Sequence, residues 1–142
     1  MPSGGRASEA VAIFDAKTAS ILEFEDFIES LAFLSASERA RLTIAGGEIF
    51  DNIVRYSTPI AEGKMKVRAS RRSGALLLAF FFRSESFAEF AHRGGLAAAP
   101  ERPYFDPESG RWRGIGLIMC RNLTSRIMFR AGNVVDCILL QF

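Results

Sequence analysis

The sequence predicts an α/β (α+β) domain: a two-layer sandwich of one mixed, mainly antiparallel sheet with helices on one face. Three observations predict it. Two adjoining segments, residues 18–34 and 35–56, repeat apolar residues every three or four positions, the period of an amphipathic helix. The stretch KMKVRAS alternates polar and apolar residues and is followed, across a turn, by the apolar run ALLLAFFF. The chain ends in two more strand-like runs, SRIMFR and VVDCILLQF. One sheet covered by helices on one face is the simplest packing for this order of elements.

In chain order, AVAIF (Ala10 to Phe14) reads as a short first strand after an N-terminal arm. Thr18 to Leu34 reads as a helix whose apolar positions Ile21, Leu22, Phe24, Phe27, Ile28 and Leu31 recur every three or four residues, with Glu23, Glu25, Asp26 and Glu29 marking its wet side. Ser35 followed by Glu38 has capping-box spacing and predicts a new helix start. That second helix runs to Tyr56, short of Pro59, which limits it. Gly46 and Gly47 inside it cost about 1 kcal/mol each relative to alanine, so a close backbone approach by a neighbour is the expected compensation.

Met65, Val67 and Ala69 alternate with Lys66, Arg68 and Ser70 as a half-buried strand. Arg72-Ser73-Gly74 is a turn, and Ala75 to Phe82 is the partner strand, apolar enough to predict cover on both faces. Ser84 to Arg93 carries a weak helical pattern. Gly94 to Arg113 holds Pro100, Pro103 and Pro107 and reads as a long loop, a length usually tied to function. GIGLIMCRNL reads as a helix opened by Gly114 and Gly116, and Ala131-Gly132-Asn133 joins the last two strands as a hairpin. The domain reading is a flexible arm at 1–9 and a single domain at 10–142, with a lid-like loop at about 94–113.

With 142 residues, 49% hydrophobic and 24% charged, the chain is long enough for one domain with a real core. A net charge of +2 is too small to argue for nucleic acid, and no direct nucleic-acid partner is expected. No run reaches the roughly 18 apolar residues of a membrane span, and MPSGGRASEA lacks the basic-then-apolar pattern of a signal peptide. Cys120 and Cys137 lack metal-ligand spacing and sit in apolar runs, which predicts reduced, buried thiols and a cytoplasmic protein. His92 is the only histidine, which disfavours a histidine-based metal or phosphorelay site.

Two motifs bear on chemistry. Glu48 and Asn52 stand four apart on the second helix and share a face; a polar stripe on an amphipathic helix has the same spacing. Asp51 and Arg55 form a second pair at that spacing. Gly110-x-x-x-Gly114-x-Gly116 precedes the third helix, where glycines let backbone amides approach an anion and the helix N-terminus favours negative charge. Arg111 and Arg113 lie beside these glycines, and Arg68, Arg71 and Arg72 form another cluster.

On these residues, over roughly Ala10 to Phe142, the chain resembles the GHKL, or Bergerat-fold, ATPase superfamily, and within it the anti-sigma-factor serine kinases of bacterial partner switching. The resemblance implies a Bergerat-type sandwich that binds ATP and Mg²⁺. It implies that Asn52 is the Mg²⁺ ligand and Glu48 the catalytic base toward a serine hydroxyl. It also implies that Gly110, Gly114 and Gly116, with Arg113, hold the phosphates.

The family's Asp-x-Gly-x-Gly motif is not matched. There the aspartate accepts a hydrogen bond from the adenine amino group. Here FFFRSESF puts Phe82 at the aspartate and Ser84 and Ser86 at the glycines. The alternative register through YFDP puts Pro100, Arg102 and Tyr104 there. A buried amino group left unpaired costs about 1–3 kcal/mol, roughly one to two decades in affinity. Filling of the pocket by Phe80, Phe81 or Phe82 is expected.

The resemblance therefore implies a partner-switching regulator that binds a sigma factor or an anti-sigma antagonist and forms homodimers, with a weakened or lost ATP site. The competing readings are an active ATP- and Mg²⁺-dependent serine kinase and an orphan ATP-binding module of a histidine kinase. Short length and absent dimerisation helices weigh against the last.

Overall fold

The computed structural model describes residues 8–56, 63–83, 102–108, 110–113, 115–132 and 135–142, with backbone only at 56, 106, 111–113 and 115. The segment 84–93, read as weakly helical, and most of the expected N-terminal arm lie outside these residues.

Strand β1 (Glu9–Asp15) is followed by a 3₁₀ turn (Thr18–Ser20), α1 (Ile21–Glu29) and α2 (Ala36–Tyr56). Next come β2 (Lys64–Arg72), β3 (Ala75–Phe82), β4 (Tyr104–Asp106) and β5 (Arg111–Arg113). The third helix, here α3 (Ile115–Leu123), precedes β6 (Arg126–Arg130) and β7 (Asp136–Gln141). Five strands form one sheet in the order β1-β2-β3-β7-β6. The predicted two-layer α+β sandwich is the observed one, with a correction: every described strand pairing is antiparallel, so the sheet is not mixed.

Local chemistry sets the element ends. Ser35 N–H donates to Glu38 Oε1 at 2.9 Å and Glu38 N–H donates to Ser35 Oγ at 3.1 Å, the reciprocal capping box expected at the start of α2. The same carboxylate takes Arg71 Nη2 at 2.7 Å and ties α2 to β2. The first helix is shorter than predicted. It ends near Ser30, and Leu31 and Leu34 reach the core from tight turns in which Leu31 N bonds Ile28 O and Leu34 N bonds Leu31 O. Between β2 and β3, Ser73 and Gly74 both have positive φ, 49° and 81°, which matches the twist of a two-residue hairpin.

The core lies between the helices and one face of the sheet. Phe14, Phe24, Phe50 and Phe80 stack there with ring centroids 5.4–6.2 Å apart, joined by Ile28, Ile49, Ile53, Leu78 and Leu140. Gly46 fits the predicted close approach. A Cβ there would stand 2.7 Å from both Leu78 Cδ2 and Phe24 Cζ. Gly47 does not share that role, since its nearest such neighbour is Ile21 Cδ1 at 3.8 Å.

Three further expectations change. The run Ala75–Phe82 is covered by described helices on one face only; Leu77 and Phe81 on the other are half-buried. The span read as one long loop contains the β4–β5 hairpin, with Tyr104 opposite Arg113 and Asp106 opposite Arg111. Cys120 is fully buried, but Cys137 is only half-buried, because strand alternation turns it to the open face.

Candidate functional site

Of the site residues named from sequence, Glu48 and Asn52 lie on α2 and Gly116 on α3. Packing orients α2 along the sheet. Glu38 at its start holds Arg71 at the far end of β2, and Gly46 at its middle touches Leu78 of β3. Asn52 lies six residues beyond Gly46, about 9 Å along the helix. Phe82 lies four beyond Leu78, about 13 Å along the strand. The same end of the sandwich thus receives Asn52 and Phe82. Asn52 is 8% exposed.

Glu48 sits one turn before Asn52 and packs onto α3. A Cβ added at Gly116 would overlap the Glu48 carboxylate, and all three of its nearest atoms belong to Glu48. Only a glycine admits this approach. The structure therefore joins Glu48 and Gly116, but what lies against the glycine is the carboxylate of its own chain. Burial pushes the Glu48 carboxyl above its ordinary value of 4.5; the Asp51 charge adds to the rise and Arg55 opposes it. Beneath this contact, Cys120 Sγ lies 3.7 Å from Ala45 O, and burial, with Glu48 close by, pushes its thiol up to about 12.

On the other side of Glu48 a cleft of about 380 Å³ runs between α2 and the start of α1. Glu25, Glu48, Asp51 and Arg55 line it, with Thr18 and Ile21. Asp51 is taken by Arg55 Nε at 2.9 Å, the pair expected from their spacing. Among the described residues, no three His, Cys, Asp or Glu side chains converge as a metal cluster.

The remaining glycines divide. Gly110 has φ 66° in the β4–β5 turn, so its glycine is explained by hairpin geometry. Gly114 lies outside the described residues, and Arg113 is described only as a backbone position in β5. The Arg111 side chain is likewise outside.

At the position where the resemblance expects the adenine acceptor, Phe82 is 2% exposed and belongs to the hydrophobic core, as does Phe80 at 0%. Phe81 does not fill that space as expected, because alternation points it to the opposite face of the sheet. A carboxylate the sequence reading passed over stands one strand away. Asp136 pairs with Phe82 in the β3–β7 register, is 6% exposed, and accepts Gly132 N–H at 3.3 Å. The signal for it was an acid inside a mostly apolar run, VVDCILLQF.

The fit to ATP and Mg²⁺ is uneven. Glu48 and Asn52 supply oxygen atoms of the kind Mg²⁺ prefers. Phe82 supplies no hydrogen bond for a purine amino group, and Gly116 is covered by Glu48. No helix among the described residues is long and apolar enough to cross a membrane. A scan against protein-family models and a search of curated proteins return no match for this chain.

Proposed function

We propose that this chain is a bacterial signalling regulator of the anti-sigma-factor, partner-switching type, acting in the cytoplasm by binding a protein partner. Its Bergerat-type ATP site is weakened or lost. The partner is a sigma factor or an anti-sigma antagonist.

One relationship carries the reading: Glu48 packs on Gly116 while Phe82 is sealed in the core. The first brings together the acid and the glycine that the family resemblance pairs in one site. The second puts a buried phenyl ring where that resemblance expects the adenine acceptor. A site with its acid-amide helix kept and its base pocket closed has more use as a contact surface than as a kinase.

A second reading, an active serine kinase, is favoured by Asp136. This buried carboxylate beside Phe82 is a candidate replacement acceptor for a purine amino group. In that case Glu48 acts as base and Asn52 holds the metal.

The test is binding of a captured sigma factor or antagonist by calorimetry, with and without ATP and Mg²⁺. The regulator reading predicts the same Kd in both conditions and no phosphoserine on the partner. Dependence on ATP, with phosphate transferred to a partner serine and lost in Glu48→Ala, establishes the kinase instead.

A further inference from the structure

The face of the sheet turned away from the helices has a composition fixed by strand register. One row across all five strands reads Ile13, Lys66, Phe81, Cys137, Arg130. The next reads Val11, Arg68, Ala79, Leu139, Met128. A third reads Glu9, Ser70, Leu77, Gln141, Arg126. The centre, over β3 and β7, is mostly apolar, and cations stand on both sides of it, on β2 and β6. A cleft of about 330 Å³ opens there, lined among others by Arg68, Phe81, Met128, Arg130, Val135 and Leu139.

Among the described residues the charges are not balanced within the face. Arg72 has Glu9 at 3.9 Å, and Lys64 has Asp15. Among the described residues no carboxylate pairs with Lys66, Arg68, Arg126 or Arg130. Arg68 Nε is buried without a hydrogen-bond partner. Lys66 Nζ and Arg68 Cζ lie 5.2 and 5.3 Å from the Phe81 ring centroid, contacts that hold both cations over the apolar centre. Apolar exposure continues to the edges, with Val11 at 49%, Ile13 at 66% and Val135 at 42%.

Width and charge select the occupant. β2 and β6 are three strand spacings apart, about 14 Å. An α-helix with its side chains is about 10–12 Å across. It therefore fits between the two cationic rows with its apolar stripe on the half-buried Leu77, Leu139 and Met128, beside the Phe81 ring that Lys66 and Arg68 cover. Carboxylates on its two flanks reach Lys66 and Arg68 on one side and Arg126 and Arg130 on the other. A second copy placed face to face would set Lys66, Arg68, Arg126 and Arg130 against charges of the same sign.

We propose that this open face of the sheet docks an acidic amphipathic helix of a partner protein. The inference rests on the protein-binding reading but assigns the contact to the surface opposite Glu48.

The test uses fluorescence anisotropy on the full chain. The probe is a labelled peptide of about 18 residues, or about 27 Å as a helix, with leucine at i, i+3, i+4 and i+7 and glutamate on both flanks. Micromolar binding is expected, at least tenfold weaker in Arg68→Glu/Arg130→Glu and weaker again when salt rises from about 50 to about 300 mM. Arg130→Glu alone, at an exposed position, keeps the fold and is expected to cost at least threefold. Bound peptide is expected to slow maleimide modification of Cys137, which lies in the cleft.

Equal affinity in the charge-reversed variants overturns the inference, as does equal binding of a control peptide with lysine for glutamate. So does tighter binding of duplex DNA, or of phosphatidylserine vesicles, to the same face. A captured sigma factor or antagonist whose affinity is unchanged by Arg68→Glu/Arg130→Glu overturns the docking surface and leaves the protein-binding reading standing. Absence of any protein partner overturns both.

Discussion

The Glu48 carboxylate rests on the backbone of Gly116, joining α2 to α3 at a point where no side chain larger than hydrogen fits. Gly116→Ala must therefore displace Glu48. The displaced group is the far end of a flexible, half-buried side chain, so the cost falls below that of overpacking a core, at about 1 kcal/mol or less. In a Glu48→Ala background the obstacle is gone, and alanine is the better helix former by up to about 1 kcal/mol. A double-mutant cycle by urea unfolding is expected to give a coupling of about 0.5–1 kcal/mol, the low end for residues in contact. Additive effects would mean that the two residues are not in contact.

The same burial gives Glu48 a pH signature. Its folded-state pKa is raised above the ordinary 4.5, so the folded chain holds the proton more tightly than the unfolded one. The stabilisation this brings is complete below 4.5 and is lost as pH rises through the folded value. Glu48→Gln, which mimics the protonated acid, is expected to raise Tm relative to wild type at pH 7–8. That gain is expected to shrink as pH falls toward 4.5. A gain that grows on acidification would contradict the assignment.

Glu38 has the opposite sign. The backbone hydrogen bond from Ser35, followed by the Arg71 side chain, lowers its carboxyl below 4.5. Its stabilisation is present above 4.5 and fades as pH falls through the lowered value. Glu38→Ala removes half of a capping box and a partly buried ion pair, a loss of about 1–3 kcal/mol at pH 7. Glu38→Gln is expected to keep the cap and lose the pH dependence. Denaturant titrations at pH 7 and pH 3.5 distinguish the two variants.

The thiols are expected to differ in reactivity. Cys120 is fully buried with its pKa pushed to about 12, so it holds almost no thiolate at pH 8. Burial also raises Cys137, with Arg68 and Arg130 opposing the rise in part, but its side chain is only half-buried and open to reagent. Maleimide under native conditions is expected to label Cys137 alone, with Cys120 reacting only after denaturation. Mass spectrometry of the digested chain reads this directly.

What was legible in the sequence was what local chemistry decides. Ser35 and Glu38 start a helix through their own backbone bonds, and Ser73-Gly74 turns a hairpin through its own torsions. Alternation assigned Lys66 and Arg68 to one face of β2 and Met65 and Val67 to the other. Tertiary facts were harder to read. Leu31 and Leu34 kept the helical period although the chain there turns to bury them. Pro103, Pro107 and Gly110 read as loop because the strands they flank are only three residues long. The apolar run through Phe81 predicts a second covering layer, yet Lys66 and Arg68 lie over its ring. Of the candidate site, the Glu48–Asn52 spacing was visible on one helix. The Glu48–Gly116 contact and the Phe82–Asp136 pairing needed the packing of segments far apart in the chain.

The most direct test of the central claim is titration calorimetry with ATP and Mg²⁺ on the wild type and on Asn52→Ala. A closed base pocket at Phe82 predicts no heat, or only millimolar binding that Asn52→Ala scarcely changes. Micromolar binding that Asn52→Ala weakens tenfold or more would contradict it, and would make this helix the metal end of a working nucleotide site.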